Sequence, residues 1–381
     1  MKFNTPSTAK AGIGRRAWRA LGALALAGSL GLSACTSTAG GEAEGEAQQY
    51  TKDDVIMITF ERSIDYAYGA SWVDGATKYA DAIGVEHKVA LAHGDSNKQL
   101  LEIQSIIAQG KQEGKIVLVM GDPDASADVP AIAQAVKAGG GYLVTGWNKP
   151  DDMHPWDFGN NWVAHADFDG VEFGERGMTN LAEAMGGEGG VVMLAGVLDN
   201  PPQKQRKEGA LKALENYPGI TVLDEQVTNW DRNLSYDAAK QMIAKHGSAL
   251  KGFFGANDDI ATGAVQAVKE SGLSDQIKVV SASDGTPEAI ELLQSGDLIS
   301  STFIDPWYFG AWGLAMGLAA ATGELDVSSL TNEQREVVIQ GFPIDQSNAH
   351  EYAEAPTGEE IVAALNEGLY ARVLNTDGPK N

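Results

Sequence analysis

Residues Lys251 to Pro287 constrain this chain most, because two short apolar runs there end in polar turns at equivalent places. Gly252-Phe253-Phe254-Gly255-Ala256 leads into Asn257-Asp258-Asp259, followed by the helical-period run Ile260 to Val268. Ile277-Lys278-Val279-Val280-Ser281-Ala282 leads into Ser283-Asp284-Gly285-Thr286-Pro287, followed by Ala289 to Leu293. Strand-length apolar runs alternating with helical periodicity predict βαβ units on a parallel sheet. Ligands of such sheets sit outside the carboxyl ends of the strands, where Asn257 and Asp284 both fall. An amide and a carboxylate aimed at one crevice suit a small polar ligand.

The same unit recurs along the chain. Strands are predicted at Val55–Phe60, Val89–Ala92, Ile116–Met120 and Tyr142–Thr145, separated by helices over Trp72–Ile83, from Leu100 to near Gly110, and over Val129–Ala138. Right-handed crossovers turn these into one β-α-β-α-β-α-β lobe. A loop rich in Trp, Asp, Asn, Pro and Gly, Gly146 to Asn161, reads as a crossing between lobes. The pattern restarts with helix Val171–Met185, strand Gly190–Ala195, helix Gln203–Asn216, strand Ile220–Leu223 and helix Tyr236–Lys245. After the opening segment come a last strand of this half, Leu298–Phe303, a small-residue-rich helix, Phe309–Ala321, and a late strand, Val337–Gln340. The fold class expected is α/β, with two Rossmann-like lobes on parallel sheets joined by a multi-strand hinge. The expected divisions are an N-terminal lobe over 51–165, a C-terminal lobe over 166–304, a return to the first lobe over 305–340, and a final crossing and tail over 341–381. Two lobes so joined can close around a ligand.

The N-terminus addresses compartment. Lys2, Lys10, Arg15, Arg16 and Arg19 precede an apolar run from Leu21 to Leu32, and Leu32-Ser33-Ala34-Cys35 follows. A basic region, a short apolar core and small residues predict a secretory signal peptide over 1–34 rather than a membrane span. Arg15-Arg16 lacks the flanking residues of a twin-arginine signal. Cys35 is the only cysteine, which excludes a disulfide within the chain. Residues 35–50 are small and polar and read as a flexible tether. Over the whole chain, 43% hydrophobic and 21% charged residues suit globular cores. The net charge of −24 becomes −29 once the five basic residues before Cys35 are removed, which argues against nucleic acid as a partner.

Several segments together resemble a known family. Leu32-Ser33-Ala34-Cys35 is similar to a bacterial lipobox, and that resemblance implies acylation of Cys35 and attachment to the extracytoplasmic face of the cell membrane. From about Val55 to Pro343 the chain resembles the periplasmic sugar-binding proteins of ABC importers, ribose-binding type, with a type 1 periplasmic binding protein fold. The matching segments are Asp95-Ser96-Asn97-Lys98-Gln99, Gly255-Ala256-Asn257-Asp258-Asp259, Ala264-Val265-Gln266-Ala267-Val268 and Asp284-Gly285-Thr286-Pro287. The resemblance implies that Arg206 donates a forked pair of hydrogen bonds to sugar hydroxyls, a task suited to a planar guanidinium. It implies that Asn257 and Asp284 bind hydroxyls; helix capping is the alternative, stronger for Asn257 than for Asp284, whose Gly285-Thr286-Pro287 context marks a hinge turn. Trp230 matches an aromatic that covers one sugar face. Trp147 and Asn148 fall where the family has a charged pair, and Tyr66 and Tyr68 fall in its first loop. Flat rings suit the C–H face of a sugar, and core packing is the alternative for each. Trp162, Trp307 and Trp312 read as packing, with Trp307 the exception to watch beside a lobe crossing.

The departures matter as much. Asp65-Tyr66-Ala67-Tyr68, Trp147-Asn148 and Ile304-Asp305 each differ from the family pattern, so the pocket is expected to be more aromatic and less charged than a ribose site. A deoxy sugar, a polyol, a cyclitol or another pentose then fits as well as ribose. The implied partners are that ligand and ABC permease and ATPase subunits, with the protein a monomer that needs no cofactor or metal. A sensor presenting its ligand to a membrane receptor is the alternative. An enzyme is disfavoured: no Gly-x-Ser-x-Gly elbow, phosphate-cradling loop or His-Glu-x-x-His helix is present. Asp151, Asp152, His154 and Asp157 match no metal-loop spacing and read as a solvated loop.

Overall fold

The computed structural model describes residues 50–379, so the signal peptide, the lipobox with Cys35 and nearly all of the tether lie outside the described residues. The chain begins with β1 (Val55–Glu61), α1 (Ala67–Ile83), β2 (Glu86–Leu91), α2 (Ser96–Glu113), β3 (Ile116–Gly121), α3 (Val129–Gly139), β4 (Tyr142–Gly146) and β5 (Trp162–Phe168). It continues through α4 (Gly170–Ala184), β6 (Glu188–Ala195), α5 (Pro201–Leu214), β7 (Gly219–Val227), α6 (Arg232–His246), β8 (Leu250–Gly255), α7 (Asp258–Glu270), β9 (Lys278–Ser281) and α8 (Pro287–Ser295). Last come β10 (Ser300–Phe303), α9 (Pro306–Thr322), α10 (Asn332–Arg335), β11 (Glu336–Ile339), β12 (Phe342–Asp345) and α11 (Gly358–Asn366).

Two parallel sheets result. The first runs β11-β5-β4-β3-β1-β2 and the second β7-β6-β8-β9. β1 and β3 are buried along their whole length, as the central strands of a sheet covered on both faces must be. Helix α9 is apolar on every side and accordingly buried on every side, packed against α1, β3 and β4. Trp72, Trp162 and Trp312 are fully buried, and the last two satisfy their indole N–H on Thr145 Oγ1 and the Leu369 carbonyl.

Some sequence expectations change. The loop after β4 does not cross between lobes, because it returns the chain to the same sheet as β5, beside β4. His165 and Asp167 inside β5 break the apolar run that would have marked a strand, yet His165 is buried against Thr145. β10 is the last strand of the second half, as expected, bridged in parallel to the segment after β9 at Asp284–Phe303, and it also pairs antiparallel with β12, Ser300 opposite Asp345. The chain leaves the first sheet after β5 and after β11 and returns to it after β10, and the expected tail over 341–381 returns as well, since α11 packs on α1 and α9. Trp307 is a packing residue, with its indole N–H on Asp74 at 3.0 Å.

Candidate functional site

The carboxyl ends of the two sheets face each other across a cavity of about 600 Å³, the size class of small-ligand pockets. All eight residues singled out in the sequence line it: Tyr66, Tyr68, Trp147, Asn148, Arg206, Trp230, Asn257 and Asp284. They reach it by different local devices.

Arg206 sits mid-way along α5, which lies backbone to backbone on α4. A Cβ on Gly174 would overlap the Arg206 carbonyl, and one on Gly209 would overlap the Val171 carbonyl, so this approach needs glycine at both places. The Arg206 side chain is buried, and its Nη1 donates to the Ala256 carbonyl at 2.9 Å. Its guanidinium lies 5.3 Å from the Trp147 ring centre and 5.7 Å from that of Trp230, within cation–π range of both. The Arg206 Nε has no partner among the described residues. Burial lowers the Arg206 pKa, and the nearby Asp284 opposes that shift.

Asn257 is the N-cap of α7. Its Oδ1 accepts from the Ile260 N–H at 3.1 Å and its Nδ2 donates to Asp284 Oδ2 at 3.0 Å, so capping and pocket lining coexist. Asp284 occupies φ 129°, a backbone region that favours glycine. The strained turn is held from below by Asp258, whose Oδ2 accepts from the N–H groups of Gly285 and Thr286, both at 2.7 Å, while its Oδ1 accepts from Ser301 at 2.6 Å. Burial raises the Asp284 pKa well above the usual carboxylate range, Asp258 adds to the rise, and Arg206 opposes it.

The opposite wall is aromatic. Trp147 adopts φ 57° after β4, stacks on Phe168 with centroids 4.6 Å apart, and donates its indole N–H to the Tyr68 hydroxyl at 3.2 Å. The Tyr66 hydroxyl points inward and donates to Glu61 Oε1 at 2.5 Å. On the Arg206 side, Asn229 and Trp230 after β7 are both left-handed, at φ 53° and 64°, which turns the Trp230 ring over Gly196.

The cavity also carries charge. Six aspartates, Asp65, Asp122, Asp124, Asp231, Asp259 and Asp284, line the cavity with Arg62, Arg206 and Arg232. Most of these were missed because each sits in a turn or at a helix start, where polar residues are ordinary. The Asp122-Pro123-Asp124 turn after β3 was visible, but nothing local aims it into a cleft. Hydrogen-bonding groups from both lobes, set among aromatic faces, can grip a polyhydroxylated ligand on all sides.

Residues 56–325 match the family model described as a periplasmic binding protein domain. A xylitol-binding protein of Mycolicibacterium smegmatis is 29% identical over 80% of this chain and 81% of its own length. A D-allose-binding periplasmic protein of Escherichia coli is 31% identical over 49% of this chain and 60% of its own length. A crystal structure of a twin-arginine translocation pathway signal protein from Burkholderia phytofirmans superposes with a TM-score of 0.78 at 34% identity, covering 86% of this chain and 98% of that one. With this fold, this cleft and these relatives, the chain belongs to the periplasmic binding proteins, in the type 1 class of solute-binding components of ABC importers.

Proposed function

We propose that the protein captures a monosaccharide, sugar alcohol or cyclitol between its lobes and delivers it, chemically unchanged, to an ABC permease with its ATPase. The observation that carries this reading is the arrangement around Arg206. A buried guanidinium with an unpartnered Nε lies between two tryptophan rings and beside the Asn257–Asp284 pair. Such a site offers donors, acceptors and flat apolar faces at once, as a polyol requires. The lining contains no histidine or cysteine. The xylitol- and allose-binding relatives support the ligand class.

Binding works by differential affinity. Ligand hydroxyls meet both lobes only when the cleft is closed, so the ligand shifts the population toward that form. The protein acts outside the cytoplasm, where its family works. The Leu32–Cys35 motif supports a lipid anchor there, and the acidic chain acts as a monomer. Calorimetry on residues 50–381 with pentoses, deoxy sugars, polyols and cyclitols tests the proposal. Binding of only amino acids or oligopeptides, or turnover of a sugar, would overturn it.

A further inference from the structure

After β12 the chain crosses between the lobes once more, and this last crossing ends in a segment laid over the others. The helical turn Ala349–Tyr352 packs against α8 of the C-terminal lobe, and beyond residues 353–357 α11 packs against α1 and α9 of the N-terminal lobe. Residues 369–375 then run along β11, the edge strand of the first sheet. The Leu374 N–H donates to the Val338 carbonyl at 2.8 Å, and Ile339 and Val373 form an antiparallel bridge. Both ends of the segment are tied to the N-terminal lobe. Trp312 Nε1 donates to the Leu369 carbonyl at 2.7 Å, and Asn375 Nδ2 donates to the Glu336 carbonyl at 2.8 Å.

Arg372 reaches two of the earlier crossings from this segment. Its carbonyl accepts from the N–H of Gln340, which joins β11 to β12, at 2.8 Å. Its Nη1 donates at 2.6 Å to Oδ2 of Asp305, which joins β10 to α9. Asp305 is left-handed at φ 40°, a conformation that costs energy in a residue with a Cβ. Its Oδ1 accepts from the Tyr308 N–H at 3.0 Å and so caps α9. With both carboxylate oxygens engaged, this crossing is held from two sides. The Arg372 guanidinium also lies 4.0 Å from the Tyr308 ring centre, within cation–π range. Arg372 and Asp305 are 27% and 17% exposed, so solvent screens the pair less than it would a surface one. Beside them the crossings enclose a cavity of about 300 Å³, lined in part by Phe303, Phe342 and Tyr352, so polar ties carry much of the restraint here. Neither Arg372 nor Asp305 lines the ligand cavity.

Domain closure is absorbed by φ/ψ changes at a few connecting residues. A segment bonded to two crossings at once resists such changes. It is bonded here with the lobes together, as the Asp259 contact to the Ala67 N–H across the cleft shows. We infer that residues 369–375 are a hinge strap, pinned by Arg372 on Asp305 and Gln340, which biases the lobes toward the closed arrangement and thereby raises affinity for the ligand. This rests on the reading above that the lobes close around a ligand. A larger closed population before binding leaves less for the ligand to shift.

The test uses the full chain with Arg372→Ala and Asp305→Asn, singly and together. Asparagine keeps the cap of α9 and removes the charge. Hydrogen exchange of the ligand-free protein is read at residues 67–70, on the cleft, and at residues 338–340 and 372–374, on the strap. Exchange at 67–70 should speed up by about threefold or more in each variant. The double variant should add little to Arg372→Ala, because both changes break one pair. Calorimetry with xylitol, D-ribose, D-allose and myo-inositol should show the best of these ligands weakened by about threefold or more. Faster exchange confined to the strap, with 67–70 unchanged, would reveal a local structural tie and overturn the inference. So would ligand affinity within about twofold of wild type in both single variants, whatever their melting temperatures. Should Arg372→Ala fail to fold, Asp305→Asn decides alone. If the wild type binds none of the four, the sugar or polyol reading fails, while exchange at 67–70 still decides for or against the strap.

Discussion

The carboxylate of Asp259, at the start of α7, accepts a hydrogen bond at 3.1 Å from the backbone N–H of Ala67, the first residue of α1 in the opposite lobe. The N-cap of α1, Tyr66, offers no side-chain cap of its own, so the helix is capped across the cleft. The other Asp259 oxygen accepts from Arg232 Nε at 3.1 Å and Nη2 at 2.7 Å, which holds the carboxylate in place. Opening the lobes must break the Ala67 bond, whereas the Arg232 bonds lie within one lobe. Asp259→Ala should therefore lower ligand affinity by about 1 kcal/mol, the usual worth of a cap. Hydrogen exchange should speed up at the amides of residues 67–70. Unchanged exchange there would show that Asp259 is not a latch.

Arg206 is held by its packing and by the Ala256 carbonyl, with Nε left over. Arg206→Ala should weaken binding by about 2 kcal/mol or more, because ligand hydroxyls would be buried unpaired. Arg206→Lys should recover little of this, since a point charge replaces a planar fork between two rings. Calorimetry alongside melting curves separates loss of binding from loss of fold.

Asp258 does not line the cavity, yet it carries the turn that presents Asp284. Asp258→Ala would strand the Gly285, Thr286 and Ser301 donors in a buried place. A stability loss of about 3 kcal/mol is expected in urea unfolding, with ligand affinity falling in parallel. An unchanged midpoint would remove Asp258 from this role.

Two buried groups tilt the pH dependence of stability in opposite directions. Burial lowers the His165 pKa from 6.5 to about 3, so the unfolded chain binds a proton below pH 6.5 that the folded chain refuses, and stability is lost as pH falls through that window. His87, lowered to about 4 by burial, acts in the same sense. Glu61 acts in reverse: raised from 4.5 to about 7, it keeps its proton in the folded state after the unfolded chain has lost it, so stability is lost as pH rises across that window. Urea midpoints should show the acid-side slope shrinking in His165→Gln and growing in Glu61→Gln. Each group accounts for about 1.4 kcal/mol per pH unit inside its window.

Cys35 lies outside the described residues, and its proposed acylation rests on the Leu32-Ser33-Ala34-Cys35 motif. Cys35→Ser should release the protein from the membrane fraction and abolish labelling by a palmitate analogue. Persistent labelling of the variant would discard the anchor.

The alternation of apolar runs with helical periodicity made the parallel sheets legible, because each element's own pattern records which of its faces is buried. The ends of the strands were legible too, and eight residues named from the sequence meet in one cavity. Strand order was not written locally: β5 hid behind His165 and Asp167, and β10 found an antiparallel partner forty residues away in β12. Nor did the sequence say how the polar atoms are shared. Glu61 reads as the tail of an apolar strand and Asp122 as part of a turn, until the register of β1 on β3 sets them side by side. Periodicity encodes burial residue by residue, whereas hydrogen-bond partners arrive from distant segments. Which acceptors are left open for a ligand is therefore decided only when the lobes assemble.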